Sequence, residues 1–190
     1  MVHPFGKDRD RATSSRPKSE VRAVPHPLVD QLRFTRSEWL RALRGTPEAD
    51  GLRRLEPMNS IGWIVGHLAW QEQRYWLTRA RDITPIPILN EVVASGGPAT
   101  TPSLREMLAA WRQVTAAVDP WLEALTTDQL LADLAGPGPR RTVGDSIHRV
   151  TYHYWFHIGE ILAIRQILGH PRRPEFVGDL EKRAPFRPAD

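Results

Sequence analysis

Four long stretches of this chain carry apolar residues three and four positions apart, a spacing that puts them on one face of a helix. Leu28, Leu32, Thr35, Trp39 and Leu43 form one stripe, stopped by Gly45 and Pro47. Ile61, Ile64, Val65, Leu68, Tyr75 and Trp76 form a second, with Asn59 and Ser60 as candidate caps. Ser103 with Glu106 opens a third, which runs through Leu104, Met107, Leu108, Trp111, Thr115 and Val118. Asp119 and Pro120 are expected to end that helix and cap a short continuation through Leu122 and Leu125. The fourth follows Thr142 to about Leu168, with Val143, Ile147, Val150, Tyr154, Ile158 and Ile161 on one face. No window alternates at period two, so the expected fold is all-α, a four-helix bundle.

The chain's 190 residues suffice for one core, expected over residues 26–180. Residues 1–25 are polar, without an apolar period, and read as a disordered basic tail. After Gly169, Pro171 and Pro174 end the last helix and start a C-terminal arm, to which Phe176 and Val177 bring apolar side chains; residues 181–190 read as a tail. The net charge of +4 resides in these ends. Taking their eleven basic and seven acidic residues from totals of 26 and 22 leaves fifteen of each sign between His26 and His170. A neutral body argues against a nucleic-acid partner, which would need a basic stripe on one face. No apolar run approaches the roughly 20 residues that span a bilayer, and the N-terminus lacks a secretory apolar segment, so no membrane partner and a cytoplasmic location are expected.

The chain has no cysteine, so disulfides, thiolate ligands and a cysteine nucleophile are excluded. Any metal must sit on nitrogen and oxygen. Of seven histidines, His153 and His157 are four apart and differ by about 40° around a helix, so they share a face. That spacing suits a metal pair and equally an ordinary hydrogen-bonded pair. His148 points about 140° from His153 and about 180° from His157, away from both. His67 lies on the edge of the second stripe, able to reach across the bundle interior. Gly62, Gly66 and Gly159 leave room for close helix approach or for a ligand.

The stretch MNSIGWIVGHLAW, residues 58–70, and the stretch YHYWFHIGEILAIRQILGH, residues 152–170, resemble the second and last helices of the DinB-like superfamily. The order of the stretches agrees too, and the resemblance covers about residues 27–180. It implies a four-helix bundle in which His67, His153 and His157 hold one divalent metal. Many relatives have Arg, Gly and Gln after the last histidine, whereas this chain has Ile158, Gly159 and Glu160.

Three imidazoles leave coordination positions open, and zinc, nickel, iron and manganese all accept nitrogen ligands. Such a site supports thiol transfer, hydrolysis or isomerisation. The resemblance implies a transferase that activates a small thiol co-substrate for attack on an electrophilic small molecule. The alternatives are a hydrolase using bound water and a non-catalytic, stress-associated binding bundle. Glu160 lies close to the ligand face, where it reads as a base, an acceptor behind the ligands or a solvated carboxylate. Glu72 and Arg165 lie inside apolar stripes and are expected to pair if their helices are neighbours. Trp63 and Trp70 lie off the main stripe and read as a pocket lining or, preferably, the surface of a homodimer, since relatives often dimerise.

Overall fold

The computed structural model describes residues 24–189. The rest of the expected N-terminal tail, residues 1–23, lies outside the described residues, as does Asp190. Four helices carry the body: α1 (Pro27–Leu43), α3 (Ile61–Glu72), α5 (Leu104–Glu123) and α7 (Val143–Ile167). Between and after them come four short ones: α2 (Glu48–Leu52), α4 (Leu89–Val92), α6 (Thr127–Leu131) and α8 (Leu180–Arg183). Among the described residues there is no strand, only an isolated bridge between Asp133 and Thr142. The all-α expectation holds.

Side chains in the linkers start the long helices by satisfying free N–H groups. Ser60 accepts from the Trp63 amide, Ser103 from Glu106 and Thr142 from Asp145. Pro120 does not end α5, contrary to expectation. The helix runs on to Glu123 because Val118 and Leu122 are both fully buried. The carbonyl that Pro120 leaves without a partner, at Ala116, belongs to an exposed residue that water can satisfy.

Helix α3 packs against α5 and α7, and α1 packs against α7. Every residue of α3 is buried, as expected of a helix that is apolar on all sides. Gly62 has no room for a side chain, since a Cβ there would overlap the Pro102 carbonyl. From Gln73 to Arg79 the helix widens to π geometry. The segment that follows folds back over α3. Gln73 exchanges hydrogen bonds with Ile86, accepting at 2.8 Å and donating at 3.1 Å, while Leu89 and Val93 are fully buried.

The expected Glu72–Arg165 pair does not form. Glu72 accepts two hydrogen bonds from Arg36 of α1, at 2.8 and 2.6 Å, and one from the Tyr154 hydroxyl at 2.8 Å. Tyr154 in turn accepts from Trp111 Nε1 at 2.6 Å, so the network joins all four long helices. Burial alone would lower the pKa of Arg36, but the Glu72 carboxylate more than offsets it and keeps the guanidinium charged. Arg165 lies eleven residues beyond Tyr154, about 16 Å further along α7, out of reach of Glu72. It donates instead to the carbonyls of Ala42 and Arg172, and to His170 Nδ1 at 3.1 Å.

The C-terminal arm is held by polar contacts rather than by its phenylalanines, since Phe176 and Phe186 are both exposed. Glu38 accepts from the Gly178 amide at 2.9 Å, Gln31 donates to the Ala184 carbonyl at 2.7 Å, and Arg187 pairs with Asp30 at 2.6 Å.

Removing one partner of the buried Arg36–Glu72 pair leaves the other as an uncompensated charge. Arg36→Met is expected to lower unfolding stability by about 3–5 kcal/mol in urea titrations, and adding Glu72→Met should recover a large part of the loss. Additive losses would show that the two side chains act independently.

Candidate metal centre

The hydrogen bonds between α3 and α7 set their relative direction. His67 lies against His153 and His157, Gln71 accepts from His153, and Glu72 accepts from Tyr154. Further along, the Tyr75 hydroxyl accepts from Arg141, just before α7, at 3.0 Å, so the partners fall from His157 to Arg141 as the α3 side rises from His67 to Tyr75, and the helices are antiparallel. Two consecutive bonded pairs, Gln71 with His153 and Glu72 with Tyr154, set their register. That register carries His67, one turn earlier on α3, to the level between His153 and His157, one turn apart on α7.

The three rings converge. Their centroids are 5.1 Å apart for His67 and His153, 5.5 Å for His67 and His157, and 4.5 Å for His153 and His157. One ring nitrogen from each comes within 4.8 Å of the others. Each Nδ1 faces an atom that can only accept: the Val93 carbonyl at 2.8 Å from His67, Gln71 Oε1 at 2.7 Å from His153, and Glu160 Oε2 at 2.7 Å from His157. Each Nδ1 therefore carries the proton, and each Nε2 is left with a lone pair. The Nε2 atoms of His153 and His157 stand 3.0 Å apart. Two lone pairs at that distance repel unless a cation lies between them, so the donor set fits a metal ion.

His67 is held between two indoles, Trp63 at 4.6 Å and Trp70 at 5.2 Å between centroids, with planes 13° and 24° from parallel. Residues 63, 67 and 70 follow one another at four and three positions, which brings the rings over one another on one face. The indole N–H groups donate to the Pro98 carbonyl at 3.1 Å and to Asn90 Oδ1 at 2.9 Å. Both tryptophans are thus buried within one chain, and the expectation that they form a dimer surface is corrected.

Burial disfavours the charged imidazolium, and neighbouring imidazoles add to this at both sites. His67 is pushed down to about 4, the Val93 hydrogen bond opposing its burial. His153 is pushed down to about 3, by burial first and then by His157, His67 and Arg149. Both are neutral at pH 7, the state a metal ligand requires.

His148 is exposed and stacks on Tyr152, away from the triad, as its helical angle requires. Beside the triad opens a cleft of about 410 Å³, lined in part by Gln71, Arg74, Ser95, Arg149 and Phe156. Val93, Gln71 and the two arginines are absent from the residues expected on sequence grounds. Gln71 has a sequence signal, since it follows His67 by one turn; a backbone carbonyl such as that of Val93 has none.

A family model described as the DinB superfamily matches residues 31–161, a span that takes in all three histidines and Glu160. No curated protein gives a significant match to the chain. No helix among the described residues is long and apolar enough to cross a membrane.

In metal-free protein, His67 and His153 have folded-state pKa values below the unfolded value of about 6.5. The unfolded chain therefore binds more protons as the pH falls, and the stability these neutral imidazoles contribute drains away below about 6.5, through about 4 and about 3. Thermal midpoints of chelator-treated protein should decline in that window, and decline less in the His67→Gln, His153→Gln double variant. Equal declines would assign the loss to other groups.

Proposed function

The chain belongs to the DinB superfamily, and we propose that His67, His153 and His157 hold one divalent metal ion for a reaction that joins a small thiol to an electrophilic substrate. The observation that carries this reading is the set of three Nδ1 hydrogen bonds, which leaves three Nε2 lone pairs turned toward one another. A divalent ion, when bound there, supplies positive charge and open coordination positions, which ease proton loss from a thiol or a water. The chain has no cysteine, so the reacting sulfur comes with the co-substrate.

In the reaction, the thiol gives up its proton, its sulfur forms a bond to the electrophilic carbon, and the leaving group departs with the bonding pair and takes up a proton. The protein's own residues prepare this. Val93, Gln71 and Glu160 fix the tautomer and the plane of each imidazole. Trp63 and Trp70 shield His67 from water on both faces of its ring. Glu160 is a positioning residue in this scheme, acting through His157 rather than on the substrate.

Metal analysis of untagged protein tests the reading. One divalent ion per chain is expected. His67→Ala, His153→Ala and His157→Ala should each weaken binding severely, His148→Ala should leave it unchanged, and Glu160→Gln should cost about 10–100-fold in affinity. In cobalt-substituted protein a small thiol should produce a sulfur-to-cobalt absorption band, and turnover of an electrophile should require both thiol and metal. Substoichiometric metal under all conditions would overturn the reading, and ester or amide hydrolysis without thiol binding would replace it with water activation.

A further inference from the structure

The cleft beside the triad has a charge pattern that holding a metal does not explain. Its described lining includes two arginines, Arg74 and Arg149, and no carboxylate. The antiparallel register that pairs Gln71 with His153 brings Arg74, three residues on, and Arg149, four residues back, to one level. They lie about one helical turn from His153 and about two from His67 and His157, roughly 6–12 Å along the helix axes. Both are exposed at the mouth of the cleft. Arg74 rests over the Trp70 ring at 5.1 Å, on the same indole that stacks on His67. Neither has an acidic partner among the described residues, whereas Arg33, Arg36, Arg41 and Arg187 do.

Two unpaired cations facing one cleft repel each other, and an anion between them relieves that cost. Guanidinium forks suit oxyanions because they donate two parallel hydrogen bonds. The π-helical segment begins at Gln73, so Arg74 departs from the α-helical phase of α3 at the edge of the cleft.

We propose that Arg74 and Arg149 form an oxyanion subsite of the metal centre, so that the small molecule taken there carries a carboxylate or phosphate one to two helical turns from the level of the three imidazoles. This rests on the reading of the triad as a metal site. It narrows the ligand to an anionic thiol or an anionic electrophile. Arg74 and Arg149 are then binding residues for the charged end of that molecule, with no part in holding the metal.

The test titrates cobalt-loaded protein with mercaptopropionate and, separately, with its neutral analogue mercaptopropionamide. Calorimetry reads binding whether or not sulfur reaches the cobalt, and the absorption band reads sulfur coordination. The wild type should bind the anionic thiol about tenfold more tightly or better. Arg74→Gln with Arg149→Gln should reduce that preference to within about twofold, while cobalt content and affinity for the neutral thiol stay unchanged. Both side chains are exposed, so the variant should fold. Equal affinities in the wild type, or a preference that survives in the variant, would overturn the subsite. A charge preference without an absorption band would support the subsite and count against thiol coordination, whereas a band without charge preference would do the reverse. Competition by acetate and by inorganic phosphate then tells which oxyanion the pair prefers.

Discussion

The buried contact between Arg36 and Glu72 is the constraint on which the rest of the molecule depends. A fully buried carboxylate at the end of α3 is tolerated only if its lone pairs are satisfied, and Arg36 and Tyr154 satisfy them from two different helices. Apolar packing alone is non-directional and would let α3 and α7 slide by a residue at modest cost. The Glu72–Tyr154 hydrogen bond does not allow that slide. It sets the rotation and register of α7 against α3, and its sequence neighbours, Gln71 and His153, sit in the same register as a consequence.

The histidines can pack together in the interior because each has its Nδ1 proton paired and because His67 and His153 stay neutral. An imidazolium at either His67 or His153 would carry charge into a region closed by indoles and aliphatic side chains, which is why burial depresses both groups. The segment between α3 and α5 is what closes that region. It reaches α3 through Gln73 with Ile86, Trp70 with Asn90, His67 with Val93 and Trp63 with Pro98. A stretch that reads as a plain connection therefore serves as one wall of the site, and its Ser95 lines the same cleft as the two arginines.

Much of this was legible in the residue order. The caps at Ser60, Ser103 and Thr142 are side-chain oxygens placed just before an apolar period, and each accepts the hydrogen bond its position implies. The shared face of His153 and His157, and the exclusion of His148, follow from helical angle alone. Where the reading departed from the structure, the cause was tertiary. Glu72 met Arg36 rather than Arg165 because partner choice depends on axial offset between helices, which periodicity does not contain. Pro120 remained inside α5 because its lost hydrogen bond falls on the solvent side while its neighbours are packed. Trp63 and Trp70 lie off the main stripe of α3, yet they are buried because α3 is covered on all sides.

The sequence by itself determined the helices, their starts and the faces on which chemistry could gather, since these rest on local periodicity and on hydrogen bonds between residues three or four apart. Only the tertiary structure decided that His67 meets His153 and His157, that Val93 and Gln71 stand behind His67 and His153, and that Arg74 faces the same cleft as Arg149. Those meetings join residues up to ninety positions apart. They depend on which helices are neighbours and at what offset, and that is settled by a few directional, buried polar contacts in a core whose apolar packing alone would accept several arrangements.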